Sequence, residues 1–253
     1  MNQRRRSTKV LPTISDAARD LLFPPRCVGC DHLLPPFVKR TTVFCPPCHA
    51  AWESAVTEAL EDAACDALRG LVYLVHYRTG RGDGVSEKLI YHLKHRGDPR
   101  AFVFVAEWLA PRLQETVAAL PARKPKGENK PILFTYPPRR RSAVNRDGFD
   151  QGERLAKSMA KACGGEFVTL IKRTHRKTAE QKTLNADERV TNAASAYVLS
   201  PHATEVVRGR TVIVCDDLCT TGETLNRCAE LLAKAGARSV ILCTVAQTEE
   251  WKR

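Results

Sequence analysis

Apolar positions along this chain change rhythm several times, and each rhythm predicts an element. From 71 to 77 (LVYLVHY) β-branched and aromatic residues run almost unbroken, which predicts a buried strand. Val85, Leu89, Ile90 and Leu93 then recur at helical spacing until HRGDP interrupts them. Phe102, Val105, Ala106, Leu109, Leu113 and Val117 follow with a period near 3.6 and predict a longer amphipathic helix. The Pro-, Lys- and Gly-rich stretch 121–131 reads as an exposed connector. Beyond it strand and helix alternate. A strand over 132–136 is stopped by Pro137-Pro138, and a helix over 153–163 places Leu155, Met159 and Cys163 on one face before Gly164-Gly165. A strand over 211–215, a helix over 223–235 ending at Gly236, and a strand over 240–245 complete the series. That alternation predicts an α/β fold with a parallel sheet flanked by helices. Residues 172–195 are polar and poor in apolar side chains, and read as a long mobile loop.

The N-terminal part has a different chemistry. Residues 1–22 are polar and basic at their start, and a compact cysteine module spans 23–52. A polar, alanine-rich helix is expected over 53–67, opening the remainder, 53–253, whose core is 130–248. Cys27 and Cys30 form one C-x2-C pair, Cys45 and Cys48 another, and fourteen residues separate the two. Each pair aims two sulfurs at one tetrahedral metal, which is the pattern of a closed, structural four-thiolate zinc ribbon. Gly29 and the Pro46-Pro47 pair lie inside these turns, and His32 and His49 stand next to them as spare ligands. Cys65, Cys163, Cys215, Cys219, Cys228 and Cys243 show no such spacing and read mostly as small core residues.

Ten cysteines in a long chain whose MNQRRRSTKV start leads into no apolar signal core point to reduced thiols and a cytoplasmic protein. No run approaches the length of a membrane span, so no membrane insertion is expected. Forty Lys+Arg against 28 Asp+Glu give a formal charge of +12. Such a balance attracts polyanions, either nucleic acid or phosphate-bearing small molecules, and the scattered basic residues do not choose between them.

The strongest chemical signal is VIVCDDLCTTGETL, 212–225. A buried strand runs into two carboxylates, a Thr-Thr-Gly turn and the start of a helix. Backbone N–H groups of such a turn, with the helix dipole behind them, favour a bound phosphate. Gly222 lets the backbone approach closely, and the Thr220, Thr221 and Thr224 hydroxyls add donors. Asp216 and Asp217 would repel a bare phosphate; they suit the 2′- and 3′-hydroxyls of a ribose whose 5′-phosphate the turn holds. The order differs from a P-loop, which lacks the acidic pair and ends in GK[ST].

Taken with its strand and helix, this segment resembles the ribose-phosphate loop of type I phosphoribosyltransferases. Across nearly the whole chain the sequence resembles the ComF/GntX family, which joins an N-terminal zinc ribbon to a phosphoribosyltransferase domain. The resemblance is carried by LLFPPRCVGC (21–30), HLKHRGD (92–98), GFDQGERLA (148–156), and Gln181, Leu184, Arg189 and Asn192. One departure is Asp147, where the family usually has Arg immediately before its GFNQ; here Arg146 stands one place earlier.

The resemblance implies that phosphoribosyl pyrophosphate, with Mg²⁺ held mostly through substrate and water, binds at Asp216, Asp217, Leu218, Cys219, Thr220, Thr221, Gly222, Glu223 and Thr224. Asp216 and Asp217 would also stabilise charge developing on the ribose. Arg139, Arg140, Arg141 and Arg146 would bind the leaving pyrophosphate, unless they form only a solvated basic turn. The loop carrying Gln181 and Arg189 would close over the site, although Arg189 could instead pair with Glu188 or Asp187. Two roles follow from this. One is transfer of phosphoribose to a base or amine, in nucleotide salvage or DNA uptake. The other is a non-catalytic adapter that senses phosphoribosyl pyrophosphate or a nucleotide and binds single-stranded DNA or DNA-uptake proteins. A zinc-ribbon nucleic-acid binder that keeps the fold as scaffold is disfavoured by the intact acidic pair and glycine.

Overall fold

The computed structural model describes residues 22–35, 38–39, 41–63, 70–78, 84–120, 130–174 and 196–248. Gln181 and Arg189, with most of the expected mobile loop, lie outside these residues, as do 1–21 and most of the connector.

Helix α1 spans Pro46–Ala63, starting well before the expected 53. Proline fixes φ near the helical value and needs no donor in a first turn, so Pro46-Pro47 nucleate the helix. The second cysteine pair therefore brackets the start of α1, and the expected boundary between 52 and 53 falls inside that helix. The apolar run 71–77 forms two short strands, β1 (Leu71–Val72) and β2 (Val75–Tyr77). Between them the Tyr73 carbonyl accepts from Arg112 Nη1 at 2.6 Å and the Leu74 N–H donates to Val245 O at 3.1 Å. The side chain of Arg112 thus takes up a carbonyl at the break.

Helix α2 (Val85–Tyr91) widens into a π-turn at His92–Arg96, closed by Gly97 at φ 61. Helix α3 (Pro99–Ala118) starts on the Asp98 cap, whose Oδ1 accepts from the Arg100 N–H at 2.9 Å. Then come β3 (Leu133–Thr135), α4 (Arg141–Asp147), α5 (Gln151–Cys163), β4 (Glu166–Phe167), β5 (Ile171–Arg173), β6 (Tyr197–Leu199), α6 (Ala203–Val207), β7 (Thr211–Cys219), α7 (Glu223–Lys234) and β8 (Ser239–Thr248).

The main sheet runs β4, β3, β7, β8, with β1 and β2 both paired along the far side of β8, and each pairing is parallel. β5 and β6 form a separate antiparallel pair. Helices cover both faces. Leu109 of α3 and Leu155 and Met159 of α5 pack with Phe134, Ile213 and Cys215 on one side. Leu225, Cys228 and Leu232 of α7, with Ile171 and Tyr197, pack with Leu133, Val212 and Val214 on the other. Complete burial of each such large apolar side chain is worth about 1.5–3 kcal/mol.

The cysteine module is built into the first of these layers. Phe44 meets Phe104 edge-on at 5.3 Å, and Trp52 lies 5.6 Å from Phe104 and 6.1 Å from Trp108. Lys88 of α2 also donates to the Gly29 carbonyl at 2.7 Å. Among the described residues no helix is long and apolar enough to cross a membrane.

Candidate phosphoribose site

The connections of β3 and β7 open a crevice at the carboxyl edge of the sheet. After β3 the chain crosses through α5 to β4; after β7, its neighbour, it crosses through α7 to β8 on the other side. Adjacent strands whose chains depart in opposite directions open a crevice beyond their carboxyl ends. The register pairs Leu133 with Val212 and Thr135 with Val214, so β7 continues past the end of β3 toward that crevice. Asp216, Asp217, Leu218 and Cys219 lie on this extension. The strand expected to end at 215 runs on to Cys219, because β8 stays paired with it as far as Gln247.

The inward-outward alternation slips at the two aspartates. Ile213 and Cys215 face the α3–α5 layer, and Leu218 packs there too, whereas Val212, Val214 and Cys219 face the α7 layer. Asp217 donates its N–H to Asp216 Oδ1 at 2.9 Å. Burial, and then the charge of Asp217, push the Asp216 carboxyl well above its ordinary range. The Asp217 side chain is only 8% exposed, and its Oδ2 has no hydrogen-bond partner among the described residues; Lys94 Nζ stands 3.7 Å away. Cys219 is buried and its thiol is pushed up to about 11, by burial and then by Asp216. The Cys219 side chain is thus taken up by the α7 layer, while Leu218 is only half-buried.

Thr220 and Thr221 are exposed, and Gly222 follows as the cap of α7 at φ 75 with no side-chain capping bond. Thr221 Oγ1 makes only a long 3.5 Å contact with the Glu223 N–H. A helix start without a strong cap leaves N–H donors pointing outward, which is the arrangement an anion fills. Glu223 and Thr224 are exposed at the same end. Tyr197 of β6 reaches Thr224, and its hydroxyl accepts from Arg173 Nη1 at 2.6 Å. Sequence reading assigned Tyr197 and Arg173 no part here, since nothing in the sequence pairs their strands.

The arginine-rich turn after β3 contains helix α4 rather than open loop alone. Arg139 is anchored by its N–H to Asp150 Oδ2 at 3.0 Å, and its Nη2 donates to Asp147 Oδ2 at 2.8 Å. Arg146 donates to the same carboxylate from Nε at 3.0 Å. Asp147, the departure from the family pattern, thus ties two of the four arginines together. Hydrogen bonds from Arg146 and then Arg139 hold its carboxyl down at about 2. Arg140 and Arg141 are exposed and form no ion pair among the described residues.

Lys94 is the residue the sequence displayed without declaring. HLKHRGD was visible as a segment, but only the fold sets its lysine beside Asp217. Past the turn, Gly97 leaves no room for a side chain: a Cβ there would fall 2.8 Å from Phe149 Cε1 and from Arg154 Nη1. Arg154 Nη1 also donates to the Gly97 carbonyl at 2.6 Å.

The cysteine module gathers Cys27, Cys30, Cys45 and Cys48, whose sulfurs all lie within 4.8 Å of one another. Tetrahedral Zn–S bonds of about 2.3 Å require sulfurs roughly 3.8 Å apart, so the donors fit a zinc ion closely. Burial pushes Cys27 up, but N–H groups of Cys45, Cys30 and Gly29 prevail and bring it to about 7. Burial, and then its three fellow thiols, push Cys48 up. His49 turns instead to Glu53, its Nδ1 3.5 Å from Oε2.

The phosphoribosyl transferase domain family model matches residues 143–252. Among solved structures, the chain is similar to the allosteric regulatory enzyme of purine biosynthesis, with 17% identity over 56% of this chain and 25% of that one (TM-score 0.35). It is similar to phosphoribosylpyrophosphate synthetase from Mycobacterium smegmatis, with 17% identity over 56% of this chain and 33% of that one (TM-score 0.34). A third likeness is Trypanosoma cruzi hypoxanthine phosphoribosyl transferase, with 14% identity over 60% of this chain and 67% of that one (TM-score 0.37). The chain thus spans a quarter and a third of the first two. No curated protein matches it. With its parallel sheet flanked by helices and the domain match over 143–252, the chain has the type I phosphoribosyltransferase fold, joined to a four-cysteine cluster that fits a zinc ribbon.

Proposed function

We propose that this chain binds phosphoribosyl pyrophosphate with Mg²⁺ in the crevice between β3 and β7, and transfers its phosphoribose to a nitrogen acceptor. One observation carries the reading. The extended β7 delivers two carboxylates and an uncapped helix start to one crevice, an acceptor set beside a donor set. A ribose 5-phosphate asks for both: hydroxyl donors need carboxylates, and the phosphate needs N–H groups.

The 5′-phosphate is assigned to the N–H groups of 220–224 with the Thr220, Thr221 and Thr224 hydroxyls. The ribose 2′- and 3′-hydroxyls are assigned to Asp216 and Asp217. Arg140 and Arg141 are free to meet the pyrophosphate, and Arg139 and Arg146 would join them on release from Asp147. Mg²⁺ would be held through pyrophosphate, ribose and water, with Asp216 and Asp217 as the nearby carboxylates, and supplies charge neutralisation for the leaving group. As the bond from C1 to pyrophosphate oxygen breaks, positive charge grows on the ring, and the two carboxylates face it. The cysteine cluster is read as a structural zinc site, and the chain as a cytoplasmic protein.

The test is pyrophosphate release from phosphoribosyl pyrophosphate and Mg²⁺, against a panel of nucleobases and small amines. Release above background with one acceptor, lost in the Asp216→Asn, Asp217→Asn double variant, is the expected result. Tight binding with no release for any acceptor would remove the transferase and leave a sensor of the same ligand.

A further inference from the structure

We propose that Lys94 is a positioning residue of the phosphoribose site, its ammonium keeping Asp217 available to the ribose hydroxyls. Resting on the function proposed above, this adds a residue from the segment that precedes the domain match at 143. Asp217 is more than nine-tenths buried, and Lys94 is the cation paired with it among the described residues. Burying a charge without a partner is costly, and a paired carboxylate offers its oxygens as acceptors that two hydroxyls would use.

The distance suits this role. At 3.7 Å the ammonium supplies charge from beyond hydrogen-bond reach, so Oδ2 keeps its lone pairs, and no other described group fills them. A lysine hydrogen-bonded at short range would compete with the ligand for that oxygen.

The surroundings hold Lys94 in place. It sits in the π-turn, a local widening of the helix of the kind that re-aims side chains at functional sites. Its neighbour Leu93 is completely buried. Past the turn, Gly97 is clamped by Arg154, whose guanidinium also lies 4.3 Å over the Phe149 ring. Phe149 and Arg154 belong to the GFDQGERLA segment, and Lys94 and Gly97 to HLKHRGD. The two segments therefore meet to aim one lysine. A solvated surface lysine needs none of this.

The experiment titrates full-length protein, wild type, Lys94→Met and Lys94→Arg, with two probes. One is phosphoribosyl pyrophosphate with Mg²⁺; the other is inorganic pyrophosphate, which has no ribose. Lys94→Met should bind the first roughly tenfold more weakly, a loss typical of groups sharing one ion-pair network. Lys94→Arg should recover most of that affinity, and pyrophosphate should bind all three proteins alike, which also reports that each is folded. Wild-type affinity in Lys94→Met overturns the proposal, as does failure of arginine to rescue, or an equal loss for pyrophosphate. If wild type binds neither probe, the proposed function falls and takes this inference with it. If it binds normally and Lys94 makes no difference, only the inference falls.

Discussion

Asp216 and Asp217 place two carboxylates side by side at the end of a buried strand, and that arrangement strains the free protein. Burial and the neighbouring charge raise Asp216 well above its unfolded value of about 3.9. The folded state then holds a proton that the unfolded state releases, so stability falls as pH rises between those two values. Asp216→Asn removes that cost. It should melt higher than wild type at neutral pH, by about 2–4 °C for each kcal/mol regained, and the gap should close in acid. Melting curves across pH check this, and a gap independent of pH would contradict it. Asp147 has the opposite sign. Its carboxyl is held at about 2 by Arg146 and Arg139, and its contribution persists until pH falls through that value. Because it occupies two guanidinium groups, Asp147→Asn should let inorganic pyrophosphate bind more tightly. Weaker binding in a titration would show instead that Asp147 aims the arginines at their ligand.

Elements carry the site through their ends. The π-turn at His92–Arg96 can bring Lys94 to β7 only if Gly97 packs under Phe149 and Arg154. Gly97→Ala puts a Cβ into that contact and strains a positive φ, at a cost of about 1–3 kcal/mol. It should lower the melting temperature and weaken ligand binding together; loss of stability alone would detach the turn from the site. The cysteine module offers a parallel test. If four thiolates hold zinc, metal affinity is folding free energy for that module. Cys45→Ser should release close to one zinc per chain and lower the melting temperature, and zinc content equal to wild type would refute the cluster as its site. Much of this was legible in the sequence: the Cys27–Cys48 spacing, the apolar face of α5, and the strand–turn–helix at 211–225. The helix start at Pro46 was hidden because the proline pair served equally well as a turn signal. The length of β7 was hidden because Asp216 and Asp217 break its apolar run, and pairing with β8 decides it instead.

For the whole molecule, the alternation of strand and helix was enough to give a parallel sheet flanked by helices, whereas the crevice follows from the pairing of β3 with β7, which alternation does not specify. What alternation could not supply were contacts between distant segments: Lys94 with Asp217, Arg154 with Gly97, and Arg173 with Tyr197. Such pairs depend on the packed fold and leave no periodic trace. The first two bind the segment before residue 143 to the matched domain, so ligand affinity should depend on both. The most direct measurement is calorimetric titration of phosphoribosyl pyrophosphate with Mg²⁺ into wild type and into the Asp216→Asn, Asp217→Asn double variant. Saturable binding by wild type, lost in a double variant that still melts cooperatively, is the result this account requires. Equal affinity in both proteins would contradict it, because the ribose would then lie somewhere other than the end of β7.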